Sequence, residues 1–362
     1  MLINVQFLRF IAAFLVVLYH AARHVRMSGA DPGPLFAVAE ATGFAGVDVF
    51  FVISGFIMVF TTRSQAGAAS SLEFLKRRLA RIYSGYWPFF ILAAMVFAWA
   101  RPEHFGAASF LKSFMLWPAP LDQVLLDVSW TLSYEMYFYL VFGALVILGV
   151  AVRSWILGGI FLLVTAYNLL RHFAWQDFSP EQYYYNTFYN LFLTSPFLIE
   201  FFAGALLAIV LQSNRGGNGW LLLTVGVAGF AAAGMSNVFI YDGNVEQGFH
   251  VVPRVLMFGA PSVFLIWGLV NLERSGHIAA ERFSLAAGGA SYAIYLSHTI
   301  LLVATMKMGL NAGLRGLPDA LVQSVFLLYS ALIVVLCITY YQHAERPLHG
   351  VFKKLLRVSR SR

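Results

Sequence analysis

An arginine and a histidine, Arg9 and His20, stand eleven residues apart inside an otherwise apolar run of Phe, Leu, Ala, Val and Ile. On an α-helix that separation is three turns, so the two side chains share a face about 16–17 Å apart along the axis. An imidazole titrates near neutrality and suits a general base, whereas a guanidinium stays charged and grips phosphate or carboxylate. Ionisable groups in a run apolar enough to span a bilayer are costly unless they serve a site or a pathway. The pair therefore points to a reaction, or a route, inside the membrane.

A second candidate is the segment 71–83, in which Leu72, Leu75, Leu79 and Ile82 recur at helical spacing with Lys76, Arg77, Arg78 and Arg81 around them. By default such a basic amphipathic helix anchors to a lipid surface. Phosphate binding competes with that reading, because Arg78 and Arg81 lie one turn apart and guanidinium forks hold phosphate bidentately. A donor with its phosphates on Arg77, Arg78 and Arg81 and an arm of about 15–20 Å would carry a reactive end from the level of Arg9 to that of His20. Coenzyme A has that shape. The spacing thus points to acyl transfer, with an acyl-CoA donor from the cytoplasm and an acceptor from the far side.

The elements that must position these groups follow from composition. Of 362 residues 60% are hydrophobic and 11% charged, with a mean hydropathy of +0.73, against about 25% charged residues in soluble domains. The expected fold is all-α and polytopic, with ten spans at about 4–22, 42–61, 84–100, 129–150, 155–172, 188–212, 220–239, 252–272, 286–306 and 320–343. The stretch 105–120 is too short and interrupted to cross and reads as interfacial or re-entrant. The domain reading is a transmembrane catalytic unit over 1–345 and a basic cytoplasmic tail over 346–362, with no cleaved signal before the first span. The single cysteine, Cys337, sits in an apolar run, so neither a disulfide framework nor a Cys-based zinc cage is expected, and no metal is assigned.

Lys and Arg divide 15 against 8 between the two sides, with Arg9 inside a helix, which predicts both termini in the cytoplasm. The net charge of +7 then reflects anchoring to anionic lipid rather than a nucleic-acid partner. With that topology His20, Asp48, Glu135 and His298 fall at a similar outer depth, and Glu200 near mid-depth. Any one of them could simply bond a neighbouring helix; four at one layer are harder to dismiss. His20 is the natural proton acceptor, and Asp48 or Glu135 could orient its ring and stabilise the imidazolium. The sequence leaves open which carboxylate does so. Trp130, Tyr295 and His298 are the candidates for holding the acceptor.

Six ordered elements also resemble a known family. They are Arg9 to His20 with ten residues between, Gly46-Val-Asp-Val-Phe-Phe-Val-Ile-Ser-Gly55, Lys76-Arg-Arg-Leu-Ala-Arg-Ile-Tyr83, Trp130-Thr-Leu-Ser-Tyr-Glu-Met-Tyr-Phe-Tyr139, Ser291-Tyr-Ala-Ile-Tyr-Leu-Ser-His298 and Glu345-Arg-Pro347. The chain is similar over nearly its whole length to the membrane acyltransferases of family 3, which O-acylate bacterial polysaccharides, and its opening and length resemble the exopolysaccharide acetyltransferase branch. The resemblance implies a catalytic role for His20, coenzyme A contacts for Arg9, Arg78 and Arg81, and a sugar hydroxyl as acceptor. It departs where many members carry Pro after the basic element's Tyr: Ser84 and Gly85 stand here, with Pro88 further on.

The resulting expectation is a multi-pass protein of the bacterial inner membrane that moves an acyl group, acetyl first, from acetyl-CoA or another acyl-CoA to a polysaccharide or lipid-linked oligosaccharide, in contact with membrane lipid and with polysaccharide assembly machinery. His20 would act as general base, with a covalent acyl-histidine as the mechanistic rival. A secondary transporter of a small solute is the reading from another class. It would also bury ionisable groups in a ten-span bundle, but predicts broken helices and an inverted repeat.

Overall fold

The structure, a computed structural model, describes residues 2–27, 29, 33–213, 216–310 and 312–359. Arg215, Arg360 and Arg362, counted above toward the inner face, lie outside the described residues. Every regular element among the described residues is helical. In hydrocarbon that is the expected outcome, because a helix satisfies its backbone N–H and C=O groups internally.

Among the described residues ten long helices form the bundle: α1 (Ile3–Met27), α2 (Gly46–Thr61), α3 (Ala68–Ala100), α4 (Trp130–Val146), α5 (Val150–Leu169), α6 (Phe197–Gln212), α7 (Gly219–Ile240), α8 (Val251–Arg274), α9 (Glu281–Lys307) and α10 (Asp319–Tyr340). Nine helical stretches among the described residues are long and apolar enough to cross a membrane. The remaining expected span, α4, has 17 residues, about 25 Å, the short end of the crossing range. Its first turn meets α9 through Thr131 and Tyr295, and its last turn meets α3 through a hydrogen bond from Ser71 to the Gly143 carbonyl.

Two expectations change in detail. The basic segment 71–83 and the third span are one continuous helix of 33 residues, with Pro88 inside it. Ser84 and Gly85 therefore form no loop. A Cβ at Gly85 would overlap the ring of Tyr292, so the small residue lets α3 and α9 touch. The stretch after α3 folds back along it as a hairpin: Ser113, Phe114 and Met115 present carbonyls to Tyr86, Trp87 and Tyr83, and Asp127 closes the hairpin's mouth by pairing with Arg101 (3.4 Å) and His104 (3.2 Å). The stretch 105–120 is thus re-entrant in form.

The core that carries the site is α1 packed along α9, and α2 packed along α6. The start of α1 is capped from outside the helix. Glu273, near the end of α8, accepts from the Ile3 and Asn4 amides at 2.9 and 2.8 Å, while Asn4 bonds Leu269, His277 and Ala279. These bonds satisfy two of the free N–H groups that every helix start leaves. On α2 and α6, Gly55 and Gly204 face each other's backbones so closely that a Cβ on either would overlap a carbonyl oxygen. After α10 the chain makes one π-helical turn, Tyr341–Glu345, into a short helix α11 (Arg346–Leu355) that lies on α3. Such turns re-aim side chains. This one turns Glu345 inward, where it is wholly buried.

Candidate active site

A cavity opens between α1, α2, α3, α4 and α9. Arg9, Arg78 and Arg81 line it, with Glu135, Tyr139, Tyr292 and Tyr295. The three arginines differ in how they are held. Arg81 Nη1 donates to the buried Glu345 at 2.7 Å, so its charge is already matched. Arg9 bonds only the neutral Gln6 Oε1 at 3.2 Å, and Arg78 bonds the Thr61 hydroxyl at 3.2 Å with its guanidinium over the rings of Phe74 and Tyr139. Neither makes an ion pair with a carboxylate among the described residues. Three arginines against one lining carboxylate, Glu135, with two of the three outside any ion pair, suit a ligand that brings negative charge with it.

Arg77 is elsewhere. It pairs with Glu73 one turn away at 2.9 Å and donates to the Ser359 carbonyl, so it ties the chain's end to α3 and does not line the cavity. Arg77 was expected on the donor's phosphates with Arg78 and Arg81, but four cations on one helix cannot all face one pocket, and helical spacing turns Arg77 about 100° from Arg78 and away from this one.

His20 lies beyond the cavity's inner end. The lining finishes at Tyr295, whose hydroxyl bonds Thr131 and the Val128 carbonyl, and whose ring centroid is 5.8 Å from that of His298. His298 in turn bonds His20, Nε2 to Nδ1 at 3.2 Å. Proton positions follow from the carbonyls, which can only accept. His298 Nδ1 faces the Ile294 carbonyl at 3.3 Å and His20 Nδ1 faces the Val16 carbonyl at 3.0 Å, so both Nδ1 atoms carry hydrogen in the neutral pair. The single His20 Nδ1–H is then shared between the Val16 carbonyl and the lone pair of His298 Nε2 in a three-centre bond, which leaves His20 Nε2 as a lone pair with no partner among the described residues. That is the tautomer a general base needs.

The carboxylates expected to orient His20 sit on other partners. Asp48, wholly buried in α2, accepts from Arg254 of α8 at 3.1 Å to Nε and 2.7 Å to Nη2, with Glu200 of α6 close by. Glu135 accepts from the Tyr139 hydroxyl, one turn along α4, and from Ser54 at 3.4 Å. The layer of four ionisable groups therefore resolves into three sets: His20 with His298, Asp48 with Arg254, and Glu135 in the arginine-lined cavity. His298, wholly buried, stands against His20 Nδ1 where Asp48 or Glu135 was expected. Sequence reasoning assigned Arg254 no role at the site; only its distant contact with Asp48 identifies it.

Trp130 faces the other way. It lines a second cavity, with Tyr134, Phe197 and Arg254, on the opposite side of α4 from Thr131, Leu132 and Glu135. Of the three acceptor candidates Tyr295 alone lines the first cavity. No group of three or more His, Cys, Asp or Glu among the described residues gathers as metal ligands.

Known proteins resemble this chain over most of its length. The family model described as "Acyltransferase domain" matches residues 2–342. The exopolysaccharide production protein ExoZ of Rhizobium meliloti (strain 1021) is 31% identical over 344 residues, covering 87% of this chain and 94% of its own. The acyltransferase MdmB of Streptomyces mycarofaciens is 24% identical over 325 residues, covering 82% of this chain and 77% of its own. No solved structure matches significantly. An all-helical membrane bundle with a histidine pair beyond an arginine-lined cavity, matched along almost its full length, belongs to the acyltransferase 3 family and is a multi-pass membrane acyltransferase.

Proposed function

We propose that this protein transfers an acyl group, acetyl first among candidates, from cytoplasmic acyl-CoA to a hydroxyl of an extracytoplasmic or lipid-linked exopolysaccharide glycan. The observation that carries this reading is the pair Arg9 and Arg78, cationic and in no ion pair among the described residues, in a cavity whose far wall is backed by a histidine with a free Nε2. Phosphates of the donor lie on Arg9, Arg78 and Arg81. The pantetheine arm runs toward Tyr295, and the thioester reaches His20 once that ring swings aside, breaking its bonds to Thr131 and Val128.

In the reaction the acceptor hydroxyl gives its proton to His20 Nε2 as its oxygen attacks the thioester carbonyl. His298 keeps His20 Nδ1–H in place and accepts from it more strongly as the imidazolium forms. Collapse of the tetrahedral adduct expels the coenzyme A thiolate, which takes the proton back from His20. The excess of Lys and Arg at the end of the bundle where α3 begins supports a cytoplasmic position for that end and for both termini, in the inner membrane of a bacterium. The name of the Rhizobium relative supports the glycan acceptor and a place beside polysaccharide assembly machinery.

The test is purified protein in lipid nanodiscs with labelled acetyl-CoA and a glycan acceptor. His20→Ala is expected to abolish label transfer while leaving acetyl-CoA binding in place. Transfer persisting in that variant would overturn the assignment of the base, and an acyl-protein trapped on His20 would favour the covalent route.

A further inference from the structure

The second cavity is built from the side of α4 that the first does not use and from the segment joining α5 to α6. Its aromatic lining includes Trp130, Tyr134, Tyr183 and Phe188, and its charged groups are Glu246 and Arg254. Two features mark it as a prepared site. First, the segment is clamped: buried Arg171 pairs with Asp177 at 3.0 Å, donates to Thr194 at 2.7 Å and lies 4.5 Å from the centre of the Phe178 ring. A cavity wall fixed in advance lowers the ordering cost of a ligand. Second, polar capacity is left over at its rim. Glu246 Oε1 accepts from Tyr19 and Arg23, but its Oε2 is buried without a partner. Arg254 spends Nε and Nη2 on Asp48, leaving Nη1 uncommitted among the described residues.

The cavity also approaches the base from the side the donor does not use. Glu246 bonds the Tyr19 hydroxyl, and the Tyr19 ring stands edge-on to His20 with centroids 5.0 Å apart. No residue lines both cavities. A ring with apolar C–H faces and a rim of hydroxyls matches this lining: aromatic faces take the C–H face, a carboxylate oxygen accepts from hydroxyls, and a guanidinium donates to ring or hydroxyl oxygen.

Resting on the acyltransfer reading above, we propose that the second cavity binds a sugar ring of the acceptor, with Trp130 and Tyr134 on its faces and Glu246 and Arg254 on its hydroxyls. Donor and acceptor then reach His20 from two separate cavities divided by α4.

The experiment is saturation-transfer difference NMR of methyl β-D-glucopyranoside and methyl β-D-galactopyranoside on the full chain in lipid nanodiscs free of sugar detergent. Signal on at least one hexoside is expected above empty nanodiscs, about fivefold or more weaker in Tyr134→Ala, Trp130→Ala and Glu246→Gln, and retained in Arg78→Ala and in Trp155→Ala on the exposed face of α5. Glu246→Gln keeps the side chain's shape, so its result stands if an aromatic variant fails to fold. No signal above empty nanodiscs, or equal signal in the cavity variants, overturns the proposal. Hexoside signal without any acetyl-CoA turnover would sink the acyltransfer reading and leave the cavity assignment standing.

Discussion

At the scale of single residues, the site is defined by which charges are already matched and which are not. Arg77 and Arg78 are neighbours in sequence, yet one is engaged by Glu73 and Ser359 at the surface and the other faces the cavity. Alanine at Arg78 is therefore expected to raise the KM for acyl-CoA about tenfold or more, the worth of one charge-assisted hydrogen bond, whereas alanine at Arg77 leaves it within about twofold. Steady-state kinetics at varied acyl-CoA separates the two, and equal effects would count against the cavity as the donor site. The Asp48–Arg254 pair makes a different kind of claim. Both groups are buried, so Arg254→Leu strands the Asp48 carboxylate and costs about 3–5 kcal/mol, while replacing both residues by Leu costs much less. Thermal unfolding of Arg254→Leu, Asp48→Leu and the double variant tests this, and additive losses would show that the pair is not coupled.

At the scale of elements, close helix approach does the positioning. Gly55 and Gly204 let α2 and α6 meet backbone to backbone, and small residues at such crossings are the main source of helix association in lipid, where apolar burial gains nothing over the acyl chains. Gly204→Ala pushes a Cβ into the Val52 carbonyl and is expected to cost about 1–3 kcal/mol. Gly158→Ala on α5 meets nothing within 4 Å and is expected to be neutral or slightly stabilising. Melting temperatures of the purified variants decide between them. The cap on α1 follows the same logic. Losing the Glu273 carboxylate frees two amides at the helix start, and Glu273→Ala is expected to cost about 0.5–2 kcal/mol.

At the scale of the whole molecule, the ten long helices described alternate in direction, and Ile3 and Ser359 lie at the same end of the bundle, beside Glu273 and Glu73 respectively. If that end is cytoplasmic, Gln247→Cys reacts with a membrane-impermeant maleimide in intact cells, and Ser64→Cys reacts only after the membrane is opened. Cys337 is buried and gives no background. The reverse pattern would place the arginine-lined cavity on the wrong side for a cytoplasmic donor.

What the sequence by itself determined was the class and the cast. Hydropathy and helix length announced a helical membrane bundle, because lipid forces every backbone group into internal hydrogen bonds and so makes spans legible one at a time. The three-turn spacing of Arg9 and His20, and the one-turn spacing of Arg78 and Arg81, were equally local and equally readable. Partnership was decided by the tertiary structure alone. That His20 meets His298 across 278 positions and Asp48 meets Arg254 across 206 depends on how α1, α2, α8 and α9 rotate and cross, and no local pattern encodes it. Depth along the membrane normal is written in a span's sequence, whereas the direction a side chain faces around its helix acquires a partner only when a second helix is packed beside it.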